Sequence, residues 1–581
     1  MSFFKRFFGA RPQPTPPTAQ PVSNVGKSRS ADVVAAMILM VLATVIAAST
    51  IVVAYPSLSP LPLFDQWGFL EPAYVWRTLF DVHSEHRIVL SKLVFLADLC
   101  LLGGRNIAEF VVTAMMLLAI GGLYWAAVGL DRFASWTHRV LAAAMVICFA
   151  ISPLTIGVLL WGMHVQNVGV NLFAGVAFFL LALGASKGRA ARARYWALSF
   201  AIVFAVFATF TSANGLLVSF LLIAEAVGLR LRRREIAWIA AGAVIAAALF
   251  LHGNTAQGNA IKTITTAPWG VAKFFFLFLG CIVPQAATLS DAATLQPLVF
   301  ALGLASVAVL AFNGFVYVRR SRSGKCEELA VFSLVCGMFF LSSAALVAAG
   351  RYPFGIDHAY TEHYNILRVL YWANLLLSIG ACWKTPRAWQ LLGALAICAA
   401  VVLCREIPIR MDGLKSRDAA LNDSAAAIAA GVYDMGAWRD VNQWNESNPG
   451  THPFMRSQAE FLRQNNLSIF HDAPAAWVGR NIRHLPLADT SCPGAITGSQ
   501  IHSDQLGQYQ IVLGWVNHPV QSDKEPQIVL VDGSGKIIGF GAISATRNGQ
   551  TQWRGYARSE IIPAAAYLFS DGALCHLTNK S

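Results

Sequence analysis

The stretch Val33-Val-Ala-Ala-Met-Ile-Leu-Met-Val-Leu-Ala-Thr-Val-Ile-Ala-Ala-Ser-Thr-Ile-Val-Val-Ala-Tyr55 runs for 23 residues without a charge. About 20 apolar residues cross the hydrocarbon core of a bilayer, so this stretch reads as a membrane helix. Thirteen such apolar segments precede residue 405. Eleven are long enough, or nearly so, to cross: roughly 33–55, 107–130, 140–160, 166–185, 195–211, 214–229, 236–252, 295–318, 327–349, 365–382 and 388–404. The other two, Ile88 to Leu102 and Val271 to Val283, are shorter and adjoin polar motifs. Composition agrees: the 581 residues are 56% hydrophobic and 13% charged, with a mean hydropathy of +0.53. A soluble protein would be about a quarter charged, and a disordered chain more polar still. The expected fold class is a polytopic α-helical membrane protein.

Charge sets the expected orientation. The net charge of +13 sits in short clusters between apolar segments, such as Lys187 to Arg194 and Arg230 to Arg234. No basic patch interleaved with aromatics occurs, so nucleic acid is not an expected partner. Clusters of this kind mark cytoplasmic loops. With the N-terminus inside, as Lys5, Arg6, Arg11, Lys27 and Arg29 suggest, non-crossing of both short segments puts ten Lys and Arg of three middle loops in the cytoplasm. If both crossed, all ten would face outside. The short segments, at 15 and 13 residues, also have re-entrant or interfacial length. Eleven spans follow, with the outer surface formed by loops 56–106, 161–165, 211–215, 253–294 and 350–364 and by the tail from Arg405.

The expected domains are a disordered cytoplasmic tail over 1–31, the membrane domain over 32–404, an outer helical segment over 405–479 and a small outer β-sandwich over 480–581. The tail 1–31 is expected because five prolines fall between Arg11 and Pro21. No cleavable signal peptide is read at the start. The β-sandwich rests on strand-like alternation at Tyr509 to Trp515, Gln527 to Val531, Lys536 to Phe540, Trp553 to Tyr556 and Ala564 to Phe569. The turn Asp532-Gly-Ser-Gly535 adds to it. Of ten cysteines, eight lie in or beside apolar segments and read as small core residues. Cys492 and Cys575 stand in the polar tail, where an oxidising compartment would allow them to pair.

Chemistry concentrates in the first outer loop. Asp65, Trp67, Glu71, Asp81, His83, Glu85, His86 and Arg87 follow the first membrane helix within 23 residues. Interfacial anchoring accounts for Trp67 and Trp76. It accounts less well for the density of ionisable groups, which at a membrane boundary can serve as acid or base. A second polar cluster, Arg351-Tyr352-Pro-Phe-Gly-Ile-Asp357-His358-Ala-Tyr360-Thr-Glu362-His363-Tyr364-Asn365, falls on the same expected side. A weaker set is Trp161, His164, Gln166 and Asn167. The histidine spacings match neither HExxH nor a cysteine-rich zinc pattern, so the metal is unknown and a divalent cation on Asp65 and Glu85 is left open. GxxxxGK[ST] is absent, which argues against direct use of ATP.

An acidic residue in a long first outer loop, ahead of a short juxtamembrane segment, resembles the GT-C superfamily of integral-membrane glycosyltransferases. The text Asp65-Gln-Trp67 … His83-Ser-Glu85-His86-Arg87 is also similar to a group of bacterial multi-pass proteins. The resemblance implies sugar transfer from a polyprenyl-phosphate donor to a surface glycan or lipid-linked acceptor at the outer face of a bacterial inner membrane. It implies a membrane core followed by an outer soluble domain, and membrane lipids as surroundings. It points to Asp65, Glu85 and His86 as catalytic groups. Trp67, Glu71, His83, Arg87, Arg351, Tyr352, His358, Glu362 and His363 become candidates for substrate binding. Many members carry two adjacent acids in this loop, whereas here Gln66 follows Asp65; Glu71 or Glu85 are alternative bases.

Two other classes compete with the enzyme. A translocase or export component would line its midplane with polar residues and broken helices, whereas polarity here gathers at the outer surface. A membrane acyltransferase would place the outer histidines at the centre. Topology offers the first test. Cysteine labelling in intact cells is expected to leave position 190 unmarked from outside and to mark position 430. Outside labelling at position 190 would sink the eleven-span arrangement.

Overall fold

The computed structural model describes residues 25–186, 190–253, 260–282, 292–322, 327–434, 436–438, 441, 451–504, 507–517, 527–547, 550–558 and 563–579. Most of the expected tail 1–31 and the polar stretch 442–450 lie outside the described residues. In chain order the helices are α1 Val25–Ala54, α2 Pro72–Arg77, α3 Val89–Leu102, α4 Ile107–Val128, α5 Trp136–Ala150, α6 Ile156–Leu160, α7 Val165–Ala185, α8 Ala191–Thr211 and α9 Leu216–Gly228. They continue as α10 Arg233–Leu251, α11 Ala260–Thr266, α12 Pro268–Gly280, α13 Ala292–Ser321, α14 Glu328–Arg351, α15 Asn365–Trp383, α16 Pro386–Ala429 and α17 Thr451–Gln464.

Among the described residues, nine helices are long and apolar enough to cross a membrane: α1, α4, α7, α8, α10, α13, α14, α15 and α16. The number reaches 11 if each of two bent pairs is one span. One pair, α5 with α6, bends by 48° where Ser152 and Pro153 interrupt the helix. The other, α11 with α12, bends by 109° at Ala267-Pro268, the geometry of a broken span or a re-entrant loop. Helix α3 has only 14 residues. Its end is set by Gly103, which caps it with φ +75°. The apolar flanks of α1, α10 and α13 are exposed, as lipid-facing surfaces must be.

The last apolar segment and the helical stretch after residue 404 form one continuous helix. Thr385 caps α16 by accepting the Ala388 N–H at 3.2 Å, and Pro386 takes the first turn. The helix then continues for 44 residues, about 66 Å at 1.5 Å per residue, roughly twice the hydrocarbon thickness. It ends where Gly431 takes φ +72°. There the Gly431 and Val432 amides bond back to the Ile428 and Ala427 carbonyls at 3.0 and 2.9 Å. This double bond-back needs a left-handed residue, which glycine adopts at little cost.

The far end of α16 enters a second hydrophobic core, distinct from that of the membrane bundle. Here Leu421 and Ala425 to Ala430 pack with Leu61, Trp67, Val75 and Ile88 between α1 and α3, with Phe95 of α3, and with Trp438, Phe470, Phe540 and Tyr556 of the tail. The expected boundaries at 404/405 and 479/480 are therefore crossed by one helix and one core.

Seven strands follow: β1 Cys492–Asp504, β2 Gly507–Val516, β3 Ile528–Val531, β4 Ile537–Arg547, β5 Gln550–Ala557, β6 Ala565–Ser570 and β7 Ala573–Thr578. They close in the order β1-β2-β5-β4-β3-β6-β7, a barrel rather than the expected sandwich. Register shifts at Ile496/Gly498, Leu530/Val531 and Ile543/Ala545 coil the sheet. Val512, Ile528, Leu530, Trp553 and Leu568 fill the interior. The seam is a short parallel pairing of Cys492 with Leu577 and Pro493 with Thr578. The Cys492–Cys575 disulfide crosses that seam over a sequence separation of 83. Closing a loop of that length is worth on the order of 4 kcal/mol in the chain-entropy description. Reduction is thus expected to lower the melting temperature of the tail, and a non-reducing peptide map should show the 492 and 575 peptides linked. Both thiols alkylating without reductant would refute the bridge.

Candidate functional site

The site is assembled by loops at the end of the bundle that carries the barrel. The chain leaving α1 turns through Phe64–Phe69, a 3₁₀ segment pinned to the tail. The Phe64 N–H and the Trp67 indole N–H both donate to the Val441 carbonyl, at 2.9 and 3.2 Å, and Trp67 stacks on Trp438 with centroids 6.0 Å apart. Trp67 is fully buried, so it shapes the loop from behind rather than meeting a ligand. Asp65, between these anchors, keeps about a third of its side chain exposed.

His83 and His86 face each other across a two-residue turn. Each N–H donates to the other's carbonyl, at 2.7 and 2.9 Å. Opposed residues of such a bridge project to one face, and the next residue projects to the other. His83 Nε2 lies 3.5 Å from Asp65 Oδ2. His86 Nε2 lies 3.9 Å from Glu85 Oε1, and its Nδ1 accepts the Ala213 N–H at 3.1 Å. Arg87 turns the opposite way and is buried. Its guanidinium is engaged by the Phe80, Phe250 and His252 carbonyls, so it staples the loop to the end of α10. Glu71 stands exposed ahead of α2.

The second cluster meets the first. Arg351, at the end of α14, donates from Nε to the Tyr364 hydroxyl at 2.8 Å and lies over the Phe354 ring. Its charge acts on Asp65, Glu85 and His86. His363 packs edge-on to Trp161 at 5.1 Å, and Trp161 in turn meets Phe64 at 5.1 Å. Glu362 forms an ion pair with Arg410 of α16. Tyr352 packs against Gly270 of α12. His358 is exposed beside Phe354. The structure therefore brings Asp65, His83, Glu85, His86 and Arg351 together. It places Glu362 and His363 on the adjoining wall and leaves Glu71 and His358 at the periphery.

Three contributors lay outside the sequence reading. Arg368 is 1% exposed and holds the 359–365 turn through the Asn365 side chain and the Ala359 and Thr361 carbonyls. Lys92 is buried, donates to the Thr78 and Asp81 carbonyls, and sits over Phe69. Arg410 reaches the site from the helical tail. A cation inside an otherwise apolar segment was the available signal for Lys92 and Arg368. Nothing in the text around Arg410 pairs it with Glu362.

The electrostatics favour a neutral His86. Burial holds its imidazole below the usual histidine range; the Glu85 carboxylate opposes this, and Arg351 and His83 add to it. The Ala213 contact requires an unprotonated Nδ1, which puts the ring proton on Nε2, facing Glu85. Among the described residues no three His, Cys, Asp or Glu side chains are grouped to hold a metal ion. A concavity of about 660 Å³, lined by Trp383, Pro386, Arg387 and Leu391, lies at the start of α16, away from this cluster. A scan of protein-family models and a search of curated proteins return no match to the chain.

Lowered in the fold, His86 contributes stability that is present above the unfolded value of about 6.5 and lost as pH falls below it. His86→Asn removes that proton uptake. Its melting temperature is expected to drop less than that of the wild type between about pH 7.5 and about pH 5. Equal drops in the two proteins would show that His86 does not titrate in this way.

Proposed function

We propose that this protein is a GT-C-type membrane glycosyltransferase. It would take a sugar from a polyprenyl-phosphate donor and attach it to a surface glycan or lipid-linked acceptor. One observation carries the reading: Asp65, His83, Glu85 and His86 converge with Arg351 at a single end of the bundle, beside the short α3 and beneath a soluble tail. On this reading that end faces the periplasm or exterior of a bacterial inner membrane. The disulfide in the tail supports that side, because such bridges persist in oxidising compartments; the ten-charge bias of the middle loops supports a cytoplasmic N-terminus.

The chemistry assigned to each group is limited to what its position allows. Asp65 accepts the proton of the acceptor hydroxyl as that oxygen forms its bond to the anomeric carbon. The bond from that carbon to the phosphate oxygen breaks, and polyprenyl phosphate departs with the electron pair. Charge on the phosphate grows as it leaves, and Arg351, whose Nε alone is committed to Tyr364, offers its terminal nitrogens to it. His83 steadies the Asp65 carboxylate.

Profiling of lipid-linked sugars in membranes with and without the protein tests the reading, since donor should accumulate in its absence. Asp65→Asn keeps size but loses basicity, so transfer should fall by about 10²–10⁴-fold while insertion is unchanged. Arg351→Lys keeps charge but loses the two-pronged grip, and should chiefly weaken donor binding. Full activity in Asp65→Asn with loss in Glu85→Gln would move the base to Glu85. Full activity in both, with loss in His86→Ala, would replace glycosyl transfer by acyl transfer, to which the Glu85–His86 pair at 3.9 Å is suited.

A further inference from the structure

Gln66 follows Asp65 and is 1% exposed. Its Oε1 accepts the Leu63 N–H at 2.8 Å, and its Nε2 donates to Asn106 Oδ1 at 2.6 Å. Asn106 is itself buried and donates from Nδ2 to the Ser59 and Leu61 carbonyls at 2.9 and 3.1 Å. Its backbone N–H donates to Asp98 Oδ2 at 2.8 Å, while Asp98 Oδ1 accepts the Ala108 N–H at 2.7 Å. A buried chain of hydrogen bonds thus runs from the loop backbone at Leu63 to the start of α4. Such chains fix geometry because each broken link leaves a desolvated polar group.

This chain brackets Asp65. Leu63 and Gln66 flank the pair Phe64-Asp65, and the Gln66 N–H also bonds to the Leu63 carbonyl at 3.1 Å. The Gln66 side chain therefore closes a turn over those two residues. Inside the turn Phe64 has φ +52°, a conformation that a bulky residue adopts only when its surroundings impose it. The direction of Asp65 follows from that imposed turn.

The network also accounts for an amide at position 66. A carboxylate there could still accept from Leu63 but could not donate to Asn106 Oδ1. It would also stand beside Glu109, whose two carboxylate oxygens have no hydrogen-bond partner among the described residues. Gln66 Nε2 and Glu109 Cγ lie 2.5 and 2.7 Å from the point a Cβ on Gly162 would occupy, so the two side chains are packed together.

We propose that Gln66 is a positioning residue: its buried amide, bridging Leu63 and Asn106, holds the strained turn that aims the Asp65 carboxylate. This rests on Asp65 as the base, and the test separates the two ideas. Full-length protein in membrane vesicles is labelled with a water-soluble carbodiimide and amine, and modification of Asp65 is read by mass spectrometry with Glu71 as the exposed reference. Gln66→Met, similar in volume but without the amide, should raise Asp65 labelling several-fold relative to Glu71. Gln66→Glu, isosteric and retaining the Leu63 bond, should do so to a smaller degree and serves where the Met variant fails to insert. Unchanged Asp65 labelling in an inserted variant overturns the proposal.

Activity is read as release of undecaprenyl phosphate from a panel of undecaprenyl-phosphate-linked hexoses and pentoses. Gln66→Met should lower kcat by about 10-fold, part of the contribution of a positioned base, with KM little changed. Added to Asp65→Asn it should cost nothing more, because the two residues act through one carboxylate. A full multiplicative loss in the double variant overturns the positioning role even if labelling rises. If the wild type consumes no member of the panel, the glycosyltransferase reading fails while the labelling result still decides whether Gln66 holds Asp65.

Discussion

The contact between the loop that follows α1 and the chain just beyond α16 is the interaction on which the site depends. Phe64 and Trp67 donate to one carbonyl, that of Val441, and Trp67 lies on Trp438. These residues are separated by more than 370 positions in the chain. The 34 residues between α1 and α3 (88 − 54) pair with no sheet of their own, and their ordering entropy must be offset by burial elsewhere. Here the offset comes from a core that the loop shares with the tail. The tail is therefore part of what shapes the site.

Buried cations divide the labour within that end of the molecule. Arg87, Lys92 and Arg368 are each at most 7% exposed, and each spends its donors chiefly on backbone carbonyls. A charge taken out of water is tolerable only when its donors are satisfied, and a fixed set of carbonyls does this while immobilising the loop that supplies them. Arg351 differs in kind. It is only partly buried, its side-chain bond among the described residues is to a hydroxyl, and the carboxylates of Asp65 and Glu85 share its surroundings. The contrast separates cations that hold the loops through backbone carbonyls from one whose hydrogen-bond partner among the described residues is a side-chain hydroxyl.

Sequence made the membrane domain readable because bilayer thickness imposes a length on each apolar run. Every one of the thirteen segments corresponds to helix in the structure. The apolar run ending near residue 404 and the helical reading from 405 belong to one helix: hydropathy falls where α16 leaves the apolar zone, and its helical geometry continues through Arg405, Pro408 and Arg410. In the tail, five strands and the Asp532 turn carried the expected alternation. β1 and β7 did not, being short of apolar residues on one face, and these two strands close the barrel. Without them the remaining strands, β2-β5-β4-β3-β6, are one open sheet. In the site, ionisable density exposed Asp65, His83, Glu85, His86 and Arg351. It overvalued Trp67 and Arg87, because a residue type does not reveal which way a loop turns. The His83–His86 bridge decides this: alternation across it sends His86 to the site and Arg87 into the bundle.

Gln66 shows why a departure from an expected motif is informative about mechanics. An acid at position 66 would be buried beside Glu109, and two close carboxylates raise one another's proton affinity. An amide at that position changes the arrangement. It faces inward, ties the turn to Asn106 and through it to Asp98, and leaves Asp65 as the single carboxylate of the turn. The neighbours of Asp65 are then His83, with Nε2 at 3.5 Å, and Arg351. The buried amide network beneath that carboxylate gives the turn a rigidity that a side chain facing water could not.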